Sequence, residues 1–255
     1  MGRVGNRAFN HRVAPSAAEA RVRRGRLELR WAGVWILGAV LALAACAGPG
    51  DAAEVTGDVA AELSTAIARD TETLHERLQT IHESMLRMRA ADTLAVAKLE
   101  AERVVNLIVG PDGRHAGDLN ADGQVSGLAA TGVLPVDGRS AEHPGLGLAL
   151  YDAPGAKAEL RAALAGIVIG NADGWRNPAT RYDEIDRAVE ITANSANAVG
   201  DMDGHLMCSL AWALLALRSD ELSVALEYAG HGQIHTALSL RAIAREVEAG
   251  KAASG

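Results

Sequence analysis

The chain has 255 residues and a formal net charge of −7, with 49 % hydrophobic and 22 % charged residues. That composition excludes a wholly disordered chain, and the length allows one domain with a real core, or two small ones. Aromatics are only 3 %, with a single Phe, and the balance is acidic. Base-stacking platforms and phosphate-backbone surfaces are therefore not indicated, and no nucleic-acid partner is expected.

The charge is distributed unevenly. Residues 1–45 carry eight arginines and two acids, a net of +6, which leaves −13 for the rest. From Trp31 to Gly50 no residue is charged. The apolar part is short for a membrane span, which needs about 20 predominantly apolar residues. It suits the apolar region of an export signal better.

That run ends in Leu43-Ala44-Ala45-Cys46. The tetrad resembles the lipobox of bacterial lipoproteins, in which Leu and two small residues precede Cys. The resemblance implies cleavage before Cys46, diacylglycerol on its thiol and acylation of the new amine. Two or three acyl chains anchor stably where one is marginal. Ala47, in place of Asp, implies the outer membrane in a diderm cell. In a monoderm cell the anchor implies the outer face of the cytoplasmic membrane. The expected organisation is a signal peptide over 1–45, a lipidated cysteine and tether over 46–57, and a helical domain over 58–250. Cys208 would then be the one free thiol, and its apolar run suits a buried side chain.

Within the domain, Leu74, Leu78, Ile81, Met85 and Met88 recur at spacings of 4, 3, 4 and 3. This heptad-like seam predicts a helix, extended upstream by Leu63 and Ile67. A second helix is expected over about 92–108, stopped by Gly110-Pro111. Residues 110–153 hold nine glycines and three prolines and read as a long irregular insertion. Helices are then expected near 155–169, 179–198, 204–217 and 220–248, with Ser219 as N-cap of the last. The fold class is all-α, a helical bundle with a glycine-rich loop insertion.

The insertion contains Asp118-Leu119-Asn120-Ala121-Asp122-Gly123-Gln124-Val125-Ser126. It resembles the first nine positions of a calcium loop of the EF-hand or dockerin type. The chemistry has a reason: oxygens at positions one, three and five converge on a hard cation, and glycine at six turns the chain. Asp118, Asn120 and Asp122 are the side-chain candidates. Gln124 offers a carbonyl at seven and Ser126 a contact at nine, with Val125 packing inward at eight. Ala129 stands at twelve, where the motif has a bidentate acid. Either a carboxylate comes from elsewhere, or the calcium site is weak or structural, or the loop has the calcium-loop shape without calcium. The stretch from Ala101 to Leu148 also resembles an uncharacterised group of exported bacterial helical proteins. Its marks are Ala101-Glu102, the acidic loop and Gly145-Leu146-Gly147-Leu148.

An alternative reading is a transition-metal or haem-binding bundle using His75, His82, His231 and His235. His75 and His82 flank the seam. The last helix reads best with a core stripe of Leu222, Leu226, Ala229, Ala237, Leu240, Ala244 and Val247, which turns His231 and His235 away. No Cys-x-x-Cys-His supports covalent c-type haem. No phosphate loop points to nicotinamide or flavin, and no nucleophile motif points to an enzyme. An enzyme with an unrecognised site is the third reading. Membrane contact through the lipid and an envelope protein partner are the expected associations.

Overall fold

The computed structural model describes residues 71–153, 157–194 and 197–254, with side chains as far as Glu248. The segments expected as signal peptide and tether, with Cys46, Leu63 and Ile67, lie outside the described residues. Seven α-helices and no strand occur among the described residues, as the all-α expectation requires. They are α1 (71–89), α2 (Leu94–Val109), α3 (Gly145–Asp152), α4 (Ala158–Ile169), α5 (Pro178–Asn194), α6 (His205–Arg218) and α7 (Leu222–Ser254). Short 3-10 turns at Ala172–Arg176 and Val199–Asp201 link α4 to α5 and α5 to α6.

Helix α6 is the centre. Every residue from Leu206 to Ala216 is buried. A helix apolar all round needs neighbours on each side, and α2, α4, α5 and α7 pack against it. The α1 seam is as the spacing predicts: Leu74, Leu78, Ile81, Met85 and Met88 are all fully buried. Thr93 caps α2, its hydroxyl accepting from the Val96 N–H at 3.3 Å, and the helix stops at Gly110. Ser219 hydrogen-bonds both backbone groups of Glu221 just before α7 begins.

Two expectations need correction. The first concerns the insertion, which is irregular only over 110–144. Its end forms α3, whose first N–H groups, from Leu146 and Gly147, donate to Gly132 and Val133 at 3.0 Å. The helix buries Leu148 and Leu150, and its glycine content had masked it as loop. The second concerns α7. Its buried line is Ala225, Ala229, Gly232, Thr236, Ser239 and Ile243, and of the expected stripe only Ala229 is fully buried. Leu222, Leu226, Leu240 and Val247 only flank the core. Small residues take the seam because α7 lies close to its neighbours. A Cβ on Gly232 would sit 2.6 Å from Met85 Cε and 3.5 Å from Trp212 Cβ.

A close backbone approach joins the end of α4 to the start of α6. Gly204 has φ +82, and a Cβ there would lie 2.4 Å from Gly170 N and 2.5 Å from Ile169 C. Both obstacles are backbone and cannot swing away. Gly204→Ala therefore combines strain with a clash and is expected to destabilise by about 2–3 kcal/mol. Urea unfolding measures it; an unchanged midpoint would show that the two helix ends are not held in contact.

Candidate functional site

The calcium-like loop is built onto α2 by two side chains one helical turn apart, which share a face. Glu102 and Asn106 are both fully buried. Glu102 Oε2 accepts the N–H groups of Leu119 and Asn120 at 2.8 and 3.0 Å, and Oε1 that of Ser126 at 2.6 Å. Asn106 Oδ1 accepts from Gly117 N–H at 2.9 Å, while its amide donates to the carbonyls of Gly117 and Ser126 at 3.0 and 2.7 Å. Both ends of the loop are thus fastened to one helix face. An ionised acceptor is stronger than a neutral one, and three N–H donors give the buried carboxylate its compensation.

Within the loop the acidic side chains turn inward onto its own backbone. Asp118 accepts from Asp122 and Gly123 N–H at 3.2 and 2.9 Å. Asn120 Oδ1 accepts from Asp122 N–H at 2.9 Å, and Asp122 Oδ1 from Gln124 N–H at 2.8 Å. The Asn120 amide donates to Asp122 Oδ2 at 3.1 Å. Gly123 carries the turn with φ +85, and Ala121 shares the left-handed region at φ +60. Asp118 and Asp122 are exposed. The donor set is all oxygen, which suits a hard cation.

The structure also corrects parts of the motif. Val125 does not pack inward; it is 46 % exposed. Leu119 packs against the core instead, because the Glu102 bonds at 119–120 draw that arm of the loop down. Ala129 also packs against the core. The remote carboxylate present is Glu102, but its oxygens are committed to N–H donors. Sequence reasoning noticed Glu102 only as part of a resemblance and missed Asn106. The signal was their i, i+4 spacing, an acid and an amide on an otherwise apolar helix face.

A second cluster fastens the remainder of the insertion to α5. Arg114 reaches Asp137 and Asp183, each at 2.6 Å, and Asp186 at 3.3 Å. His115 Nε2 lies 2.9 Å from Asp186 Oδ1. The Arg114 guanidinium also lies 5.4 Å from the centroid of the Tyr182 ring, whose hydroxyl donates to the Pro135 carbonyl at 3.2 Å. Its bond to Asp183 above all raises the Arg114 pKa, and burial raises that of Tyr182. Asp183 and Asp186 of α5 thus hold a loop. Burial pushes the Cys208 thiol up to about 11.

The four histidines of the alternative reading are not brought together. His75 is half-buried on α1. His82 Nδ1 meets the Thr236 hydroxyl at 2.8 Å, and His231 stacks on Trp212 with centroids 4.6 Å apart. His235 faces His205, a residue the sequence reading had not singled out. Among the described residues, no group of three or more His, Cys, Asp or Glu side chains is placed to hold a metal ion. No helix among them is long and apolar enough to cross a membrane. Comparison with protein-family models, curated proteins and solved structures finds no match to the chain.

Removing the Glu102 carboxylate leaves three N–H groups without their acceptor. Glu102→Ala is expected to destabilise by about 3 kcal/mol or more, given about 1–3 kcal/mol for each stranded buried polar group. Glu102→Gln, which keeps one acceptor oxygen, should cost less. Hydrogen exchange at Leu119, Asn120 and Ser126 would report the loss locally; unchanged protection in Glu102→Ala would refute the clamp.

Proposed function

We propose that this chain is a non-enzymatic protein of the bacterial cell envelope, anchored by lipid on Cys46. In this reading it presents a helical bundle with a weak or structural calcium loop and acts in binding or envelope support. The lipobox-like tetrad supports the anchor and the basic leader supports export. The observation that carries the calcium reading is the loop itself. Asp118, Asn120 and Asp122 gather their oxygens at an exposed turn, while Glu102 and Asn106 secure that turn from below.

Electrostatics favour a cation there. Asp118, Asp122 and Glu102 place three carboxylates around one short loop. Arg103, the basic residue next to Glu102, is paired with Glu100 at 3.3 Å. A divalent ion would offset the repulsion, and the Gln124 carbonyl and Ser126 would complete its shell with water. Without an acid at position twelve, affinity is expected in the range of extracellular modules, about 10⁻⁴–10⁻³ M.

Calcium at ten times that Kd should stabilise by about 1.4 kcal/mol, since a ligand that binds only the folded state shifts unfolding by mass action. Thermal melts with and without millimolar calcium measure this, and Asp118→Ala should abolish the shift. Equal melting temperatures in wild type would dismiss the calcium loop. The anchor is tested separately: Cys46→Ser should move the protein from the membrane to the soluble fraction, and retention would point to an uncleaved apolar anchor.

A further inference from the structure

Helices α6 and α7 share a second polar cluster that the loop reading leaves unused. His205, Ser209 and Trp212 lie on one face of α6 at i, i+4 and i+7, and Tyr228, His231 and His235 follow similar spacing on α7. His205 Nδ1 lies 3.2 Å from His235 Nδ1, with the two rings tilted at 49°. Two turns along α6, Trp212 stacks on both His231 and Tyr228.

Two imidazole nitrogens at 3.2 Å can share one proton or one metal ion. Zinc–nitrogen bonds of about 2.0–2.1 Å meeting at the tetrahedral angle place the nitrogens about 3.3 Å apart. A right-angled pair in a tetragonal copper site gives about 2.9 Å. The observed separation falls between these values. We propose that His205 and His235 form a two-histidine site for a zinc- or copper-class ion that bridges α6 and α7, with water in the remaining positions.

The surroundings agree with that assignment. His205 is the first residue of α6 and His235 lies within the longer α7, two helices packed against each other, so the packing of the bundle sets their spacing. Both are half-buried, which leaves room for exchangeable water. Burial lowers the pKa of each, and neighbouring His205 and His231 lower that of His235 further. The rings are thereby kept neutral, the form with a lone pair to donate. No carboxylate forms an ion pair with either ring among the described residues, so none competes for the shared position. With only two protein ligands the site differs from a closed structural one.

The test is calorimetric titration of zinc(II) into the full chain in detergent, without a histidine tag or calcium, at pH 7.5. One ion per chain should bind. His205→Gln and His235→Gln preserve a polar contact between the helices, and melting curves would verify that each variant folds. Each should weaken zinc binding at least about tenfold, or 1.4 kcal/mol. His75→Gln and His82→Gln should bind as wild type. Copper(II) should quench the indole emission that Trp212→Phe removes. Absence of zinc uptake, uptake that survives either pair substitution, or uptake that depends on His75 or His82 would overturn the proposal.

Discussion

Eleven consecutive buried residues on α6, Leu206 through Ala216, govern the architecture. Each large side chain among them stabilises the fold by about 1.5–3 kcal/mol only when its whole surface leaves water. That demand cannot be met by one partner helix. It requires a shell, which α2, α4, α5 and α7 supply. The close fit follows from it: α7 turns its smallest residues inward, so that Met85 and Trp212 fill the space a larger side chain would take. The wider leucines of α7 are left to seal the edges.

A helical shell of this kind leaves one segment without regular structure, and its backbone polar groups still need partners. Residues 110–144 meet the requirement with side chains. Glu102 and Asn106 hold the part over 117–126, while Arg114 joins Asp137 to the acids of α5. Arg77, on α1, donates to the Leu107 and Thr131 carbonyls and ties the end of α2 to the same segment. The insertion leaves the end of α2 and returns to it, where the Val133 and Leu134 N–H groups donate to the Ile108 carbonyl at 2.7 and 3.0 Å, and it is fastened along that path.

Much of this was legible in sequence where the governing force is local. The 4-3-4-3 spacing on α1 reports which side chains must leave water, and all five seam residues do. The Gly110 stop has its signature within a few residues. The misreadings share one cause, which is dependence on a partner far along the chain. On α7, the expected stripe placed Leu222, Leu226 and Leu240 in the core beside Ala229, whereas close approach to α1 and α6 buries Ala225, Ala229, Gly232 and Ser239. The short α3 was hidden because its glycines serve contact with Val133 and Ile169 rather than flexibility. The Glu102 and Asn106 bonds span 11 to 24 residues between side chain and backbone, and such pairings leave no periodicity to detect. His205 and His235 are separated by 30 residues and meet only because two helices pack.

The Glu102 clamp bears on what a cation could do at the loop. In many metal sites the ligands are scattered until the ion collects them, so binding and folding are one event. Here Glu102 Oε2 already accepts two N–H donors and Oε1 one, which fixes both arms of the turn without an ion. Asp118 and Asn120 likewise spend oxygens on the backbone they would share with a cation, each retaining a second lone pair. A cation entering such a loop finds oxygens in place and has little ordering entropy to overcome. It must, however, supply its own neutralisation of three carboxylates without a bidentate acid to strengthen its hold. Pre-organisation would raise the affinity for a cation and the missing ligand would lower it. The loop geometry is therefore set by α2, and ion occupancy would add to stability without deciding the fold.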